Sequence, residues 1–374
     1  MTYVVIGTLT LSLSHVPEWD DAEDHRFLAV NSATGRIEVY DAKDLLALFS
    51  GESTSVTADL LSLRKESYPA DATATITNLT AAKWRKPTSA TVGGLTGSEE
   101  GFLIACGSLG NITVVDLANY DESDPNNVQG VYAFQTPVAG AHDVEMLPNG
   151  DLVIASTSNQ TLYYLPLSQM AAMPTGIIAE GSYTELKLYP SVSGDGHGIF
   201  YDPQGFLWVL MDTRISKILI DGYGTALPTL RHATDGEGKD VSCIFAPDDF
   251  AAHTFCPVPG APGKYYFTAG RATWIFDSAT LTYEKAPLVY QCGEKGIGCA
   301  APDSDNGAVK GIACFADGTA VLVPGNYNQA TGDPYYESGG LHLAVWKDGI
   351  PTHYQIADGN CSFYKVFPLT PDYQ

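Results

Sequence analysis

Basic residues and long apolar runs are both scarce in this chain of 374 residues. Only 20 Lys and Arg stand against 43 Asp and Glu, which gives a formal net charge of −23. Because phosphate groups repel so acidic a surface, we expect neither a nucleic acid nor a membrane as a partner. No apolar run approaches the roughly 20 residues that a membrane-spanning helix needs. The sequence also lacks a CxxC pair, a GxSxG elbow and an HExxH motif, which leaves serine-hydrolase and zinc-peptidase chemistry without support.

The amino-terminal stretch 2–14 bears on the compartment of the protein. It is apolar but interrupted by Thr and Ser, and no basic segment precedes it, so we interpret it as a strand and see no signal peptide. Four N-x-S/T sequons nevertheless favour a secreted, extracellular glycoprotein, and they lie at Asn78, Asn111, Asn159 and Asn360. Cys292 and Cys299 are spaced to form a disulfide around one loop. Three further cysteines are interpreted as buried thiols in strands, namely Cys106, Cys243 and Cys314.

Apolar segments of period two recur along the chain and predict strands rather than helices. Six pairs of such segments have the form of antiparallel hairpins, and they begin with FLAVN, GFLIA, DLVIA, FLWVL, YYFTA and TAVLV. A short strand followed by a turn of Pro, Asn, Asp and Gly stands in front of four of these pairs. Those strands begin at His142, His197, His253 and Lys310, at intervals of 55, 56 and 57 residues.

A repeat of this length indicates an array of four-stranded sheets, so we predict an all-β fold, a β-propeller. Division of the chain by the repeat favours seven blades, with six as the alternative. The seventh would join the carboxy-terminal THYQIADGNCSFYKVF to the amino-terminal TYVVIGTLTLSL. We expect one domain over residues 1–374 and a monomer, because no linker or shift in composition divides the chain.

The first strand of each propeller blade lines the central channel, so the four repeated positions are expected to face one another there. Imidazoles and an ammonium group in one channel suit either of two sites. The histidines could bind a transition metal, or one histidine could act as base or acid while cations hold an anionic ligand. Arg214 and Arg231 follow His197 in the sequence and add to the predicted positive charge. An acidic polysaccharide or oligosaccharide is therefore the expected ligand despite the negative net charge.

Phrases around these positions resemble one known family. AHDVEMLPNGDLVIAST, GHGIFYDPQGFLWVL, HTFCPVPGAPGKYYFTAGRATWIFD and VKGIACFADG are similar to secreted β-propeller polysaccharide lyases. These lyases include the ulvan lyases and a fungal lyase that acts on rhamnosyl-glucuronate linkages. The resemblance implies β-elimination at a uronate, in which a base removes the C5 proton, a cation neutralises the carboxylate and an acid protonates the departing oxygen.

The resemblance also assigns residues to these roles. His142 matches the channel histidine of the family as base or acid, with His197 assisting, and His253 matches a further motif histidine that we place with the substrate-binding residues. The tyrosine of the family has no clear counterpart, and Tyr201 is our substitute. Arg214, Arg231 and Lys310 are the candidates to bind the uronate carboxylate.

No cofactor is firmly predicted. The ulvan lyases carry a structural zinc, but TAGRATWIFD supplies neither the Cys nor the His that would bind it here. Asp303, Asp305 and Asn306 suggest a calcium loop that lacks the later glutamate. Two alternatives to the lyase remain open: a non-catalytic carbohydrate-binding scaffold, and a metal-dependent enzyme with the three histidines as ligands.

Overall fold

The structure of the protein is a computed structural model. It describes residues 10–12, 25–31, 36–44, 47, 52, 57–62, 79–87, 91–92, 95–96, 100–119, 131–136, 138–157, 161–166, 175–177, 184–187, 196–222, 228–244, 252–269, 272–286, 309–317, 319–324, 341–347, 350–356 and 363–369. No helix in these ranges is long and apolar enough to cross a membrane.

The period-two segments form strands, as predicted. In chain order the strands are β1 (Thr10–Ser12), β2 (Arg26–Asn31), β3 (Arg36–Asp41), β4 (Thr57–Ser62), β5 (Leu79–Arg85), β6 (Thr91–Val92), β7 (Leu95–Thr96), β8 (Phe102–Gly107), β9 (Asn111–Asp116), β10 (Val131–Gln135), β11 (Ala141–Met146), β12 (Leu152–Ser156), β13 (Thr161–Leu165), β14 (Thr175–Ile177), β15 (Thr184–Lys187), β16 (Gly196–Tyr201), β17 (Leu207–Met211), β18 (Arg214–Asp221), β19 (Thr229–His232), β20 (Ser242–Ile244), β21 (Ala252–Pro257), β22 (Lys264–Ala269), β23 (Ala272–Asp277), β24 (Thr282–Lys285), β25 (Val309–Cys314), β26 (Ala320–Pro324), β27 (Leu341–Lys347), β28 (Ile350–Ile356) and β29 (Phe363–Pro368). All six predicted strand pairs are antiparallel neighbours.

The chain divides into two compact units. The first consists of Met1–Glu18, Ala22–Ser62 and Ala246–Leu369, and the second of Trp19–Asp21, Leu63–Phe245 and Thr370–Gln374. The first unit contains three sheets, with the strand orders β1-β4-β3-β2-β29, β21-β22-β23-β24 and β25-β26-β27-β28. The second contains the sheets β14-β10-β9-β8-β5, β11-β12-β13-β15 and β16-β17-β18-β19, in which β20 also pairs with β18, and the small hairpin β6-β7.

Each of the six larger sheets has the meander order of a β-propeller blade. The described residues thus form six blade-like sheets, and the expectation of seven blades for the whole chain stays a prediction, as does the single domain. One sheet contains strands from both chain ends, β29 and β1, as expected, but these two strands do not pair with each other. β29 pairs with β2 at one edge and β1 runs parallel to β4 at the opposite edge, whereas β28 belongs to another sheet.

An aspartate recurs at the end of the third strand of several sheets, counted from the inner strand. The carboxylates of Asp41, Asp116 and Asp277 accept hydrogen bonds from backbone N–H groups two or three residues further on. Such Asx turns close the outer hairpins by local chemistry. The recurrence of Asp at these positions therefore follows from the turns.

The core of each unit lies between its sheets. In the second unit, side chains from β12 and β13 pack against side chains from β16 and β17, and Val153, Leu162, Tyr164, Ile199 and Val209 are all buried in this cluster. Burial also rules out one of the predicted glycosylation sites. Asn111 has no exposed surface, so it cannot carry a glycan in the folded chain, while Asn78, Asn159 and Asn360 lie outside the described residues.

The inner strands of the first unit approach so closely that a glycine is required. A Cβ on Gly311 of β25 would lie 2.5 Å from the backbone nitrogen of Val366 in β29. Because backbone cannot move aside as a side chain can, we expect Gly311→Ala to destabilise the protein by about 1–3 kcal/mol in urea unfolding. Gly236→Ala is the matched control, since a Cβ there meets nothing within 4 Å. Equal stability of the two variants would contradict this packing.

Candidate functional site

The repeated positions found in the sequence lie at β-bulges near the starts of the inner strands. The pairing of β11 with β12 skips from Ala141 to Asp143, and that of β16 with β17 skips from Gly196 to Gly198. His142 and His197 are therefore the bulged residues of two successive sheets. A bulge bends its strand and turns the extra side chain away from the regular alternation. It is the local reason why these two side chains are presented together.

The same irregularity occurs in the other sheets that carry repeated positions. The pairing of β21 with β22 skips from Ala252 to Phe255, a span that includes His253, and that of β25 with β26 skips over Lys310. Both residues belong to the first unit, and their side chains lie outside the described residues. The four positions are thus equivalent in their strands. Their predicted convergence in one channel stays a prediction.

His142 and His197 contact each other directly. Their ring centroids are 4.9 Å apart and the ring planes are perpendicular. The Nδ1 of His142 lies 2.9 Å from the carbonyl oxygen of His197. A carbonyl oxygen only accepts hydrogen bonds, so Nδ1 of His142 carries the proton. In the neutral ring, Nε2 of His142 then has the lone pair that a base needs.

Asp212 extends this pair toward solvent. It lies in the short turn between β17 and β18, and its Oδ1 is 2.9 Å from Nε2 of His197. A carboxylate accepts a hydrogen bond, so this contact places a proton on Nε2 of His197. The Asp212 side chain is 40 % exposed, whereas that of His197 is 11 % exposed. The two histidines thus have opposite tautomers when neutral, and His197 is joined to a solvent-accessible carboxylate.

A buried network of charges lies further along the same inner strands. Lys83 of β5 donates to Asp143 and Glu145 of β11 and to the carbonyl oxygen of Ile199 in β16, over 3.0, 3.3 and 2.7 Å. Asp143 in turn accepts a 2.9 Å hydrogen bond from the N–H of Ile199. Lys83 and Asp143 therefore tie three sheets together one residue away from the bulge that holds His142.

Arg85 completes the network through Glu145. Its Nε and Nη2 lie 2.6 and 3.0 Å from the two carboxylate oxygens of Glu145, and the Glu145 side chain has no exposed surface. Burial alone would raise the pKa of Glu145, but the positive charges and hydrogen bonds of Arg85 and Lys83 outweigh it and lower that pKa. Two cations and two anions balance, so this part of the site is not a positive well.

Tyr201 lies at the other end of the strand that carries His197. It ends the strand in which His197 occupies the second position, and the strand rise puts the two residues about 13 Å apart. Burial and the adjacent Asp202 raise the pKa of its hydroxyl. The role of Tyr201 as an assistant to His142 stays a prediction.

The two arginines differ in their surroundings. Arg231 is half exposed on the outer strand β19 and forms a 2.5 Å ion pair with Asp221 of β18, so it also stands apart from the histidine pair. Arg214 begins β18 two residues after Asp212, at the same end of the sheet. Its Nε is buried and has no hydrogen-bond partner among the described residues. Arg214 remains a candidate to bind a carboxylate.

The described residues test the metal, disulfide and thiol expectations only in part. No group of three or more His, Cys, Asp or Glu residues in the described part of the chain is placed to hold a metal ion. Asp303, Asp305 and Asn306, and likewise Cys292 and Cys299, lie outside it. Cys106, Cys243 and Cys314 are buried free thiols, as predicted. Burial raises the pKa of the Cys243 thiol to about 11, which keeps it protonated.

Sequence reasoning missed Asp212 and the charge network. KWR and DVE each place two charged residues two apart in a strand, so that both point to one face. Two charged residues on one face of a predicted inner strand could have indicated a buried charge network. Nothing in the turn MDTR distinguished Asp212 from an ordinary surface aspartate.

Comparison with known proteins bears on the fold. No protein family and no curated protein matches this sequence. A Bacteroides caccae protein of unknown function is similar in structure, with a TM-score of 0.50 and 10% identity over 92% of this chain and 99% of that one. A β-propeller domain from Myceliophteria thermophila has a TM-score of 0.43 and 13% identity over 92% and 86% of the two chains. Virginiamycin B lyase from Staphylococcus aureus has a TM-score of 0.40 and 13% identity over 76% and 74%.

The six meander sheets give this chain a β-propeller fold. Similarity at these identities does not extend to function, which has to be argued from the site.

Proposed function

We propose that the protein is a polysaccharide lyase that cleaves next to a uronic acid by β-elimination, with His142 as the base. One observation carries the proposal: His142 is held with Nδ1–H on the carbonyl oxygen of His197, which leaves Nε2 as the basic nitrogen. A base with a fixed ring orientation is what removal of a carbon-bound proton requires. The proposal includes an acidic polysaccharide as substrate and an extracellular location.

Charge neutralisation is the second requirement of the reaction. The C5 proton of a uronate becomes acidic only when the adjacent carboxylate is neutralised, because its removal places a further negative charge on that group. Arg214 supports this role by its position beside Asp212 and by its buried Nε. A cation that faces the developing enediolate stabilises the transition state in a site of low polarity.

A screen of acidic polysaccharides tests the proposal. Purified protein is incubated with ulvan, gum arabic and pectic fragments, and the absorbance of the C4–C5 unsaturated uronate is followed in the ultraviolet. We expect product from at least one polymer and none from the same polymer after chemical reduction of its carboxylates to alcohols. New reducing ends without this absorbance would indicate a hydrolase, and binding without cleavage would favour the carbohydrate-binding scaffold. Either result would overturn the proposal.

A further inference from the structure

Two buried cysteines of the first unit lie on strands that pack against each other, and the proposed lyase reaction uses neither. Cys256 lies near the end of β21, and Cys314 is the last residue of β25. These strands belong to two different sheets, and β25 packs against both β21 and β22. Cys256 has no exposed surface and Cys314 is 9 % exposed. Both side chains are thus enclosed where the two sheets meet.

A hydrogen bond joins the two thiols. Sγ of Cys256 lies 3.5 Å from the carbonyl oxygen of Pro257 and donates to it, because a carbonyl oxygen only accepts. The thiol of Cys314 is in turn hydrogen-bonded to Cys256. Burial, together with Cys314 and Cys256, raises the pKa of Tyr266, which is paired with Cys256 across the two strands, to about 12. Two sulfur atoms in contact need little movement to be joined by a disulfide.

We infer that Cys256 and Cys314 form a disulfide when the protein folds in an oxidising compartment, and that this bond ties β21 to β25. The inference does not depend on the proposed lyase activity. The oxidant is a small-molecule disulfide such as oxidised glutathione. The thiolate of Cys256 attacks one of its sulfur atoms and releases one glutathione. Cys314 then attacks the sulfur of Cys256 in the mixed disulfide and releases the second. The two cysteines lose two electrons and two protons, and the oxidant becomes two thiols.

Burial determines when this bond can form. Only a thiolate attacks a disulfide, and desolvation together with the hydrogen bond to Cys256 raises the pKa of the Cys314 thiol. Both cysteines are also buried in the folded chain, which keeps a bulky oxidant away from their sulfur atoms. We therefore expect the disulfide to form while the chain folds, whereas the folded protein with reduced thiols should react slowly with the same oxidant.

Refolding in a glutathione redox buffer tests the inference. The reduced and denatured full chain is refolded, its remaining thiols are alkylated, and its tryptic peptides are mapped by mass spectrometry without reduction. We expect the peptide that contains Cys314 to be linked to the one that contains Cys256. Cys243→Ala is the matched control, because it removes another buried thiol that trypsin leaves in the same peptide as Cys256. This variant should keep the link and assigns it to Cys256.

Thermal unfolding tests whether the bond ties the two sheets. Reduction should lower the unfolding midpoint of the refolded wild type by about 5 °C more than that of Cys314→Ala, which cannot form the bond. Equal shifts in the two proteins would overturn the inference. Free thiols at Cys256 and Cys314 after refolding, or a link from Cys314 to another cysteine, would overturn it as well. If Cys314→Ala does not fold, the peptide map of the wild type decides.

Discussion

Alanine in place of His142 is expected to abolish formation of the unsaturated uronate while the fold remains intact. Loss of a base typically lowers the rate by about 10²–10⁴-fold. The variant also leaves the transition state without an acceptor for the C5 proton. The hydrogen bond from His142 to the carbonyl oxygen of His197, which the variant also loses, contributes about 1 kcal/mol to stability.

Two measurements on this variant separate the lyase from the scaffold alternative. Initial rates on the cleaved polysaccharide report turnover, and thermal unfolding reports stability. His25→Ala is a suitable control, because His25 is also a buried histidine but belongs to the first unit. Full activity of His142→Ala would remove His142 from the chemistry. A protein that unfolds yet turns over normally when stabilised would assign His142 a structural role.

Glu145→Ala is expected to destabilise the protein more than any other change considered. Removal of one partner from a buried ion pair costs about 3–5 kcal/mol, because the remaining charges lose their compensation. Here Arg85 would lose its ion pair with Glu145, and Lys83 would keep only its ion pair with Asp143 of the two carboxylates. Urea unfolding measures the loss, and Asp221→Ala is the control. Its ion pair with Arg231 is half exposed, and we expect about 0–1 kcal/mol there.

The pH dependence of this effect has a definite sign. The pKa of Glu145 in the folded protein lies below its ordinary value of 4.5, so the network stabilises the fold above that pH. As the pH falls below 4.5, the unfolded chain takes up the proton first and the contribution is lost. The difference in stability between wild type and Glu145→Ala should therefore shrink in acid. A constant difference from neutral to acidic pH would contradict the role given to the ion pairs.

The fold was predictable because it repeats. Strands of period two, turns closed by Gly and Asp, and intervals of 55 to 57 residues are local properties that sequence displays directly. The equivalence of His142 and His197 was also visible, since an interval of one repeat places two residues at the same point of successive sheets. The bulges at both histidines were not visible, because they depend on the pairing of strands.

The buried charge network shows why other parts of the site could not be predicted from the sequence. Lys83 and Glu145 are 62 residues apart, and neither position suggests burial when it is taken alone. Only the packing of β5 against β11 turns two charged strand residues into a neutral buried group. The same applies to Arg231, whose basic charge suggested a ligand site but whose partner Asp221 lies on the neighbouring strand.

From sequence alone came the propeller class, the strand pairs and the repeated histidines, because each is set by spacing along the chain. Tertiary structure decided which residues act together. It joined His142 to His197, added Asp212 from a neighbouring turn, and left Tyr201 at the far end of its strand. The physical reason is that chemistry depends on contacts of a few ångströms between strands, whereas sequence records distance only along one strand.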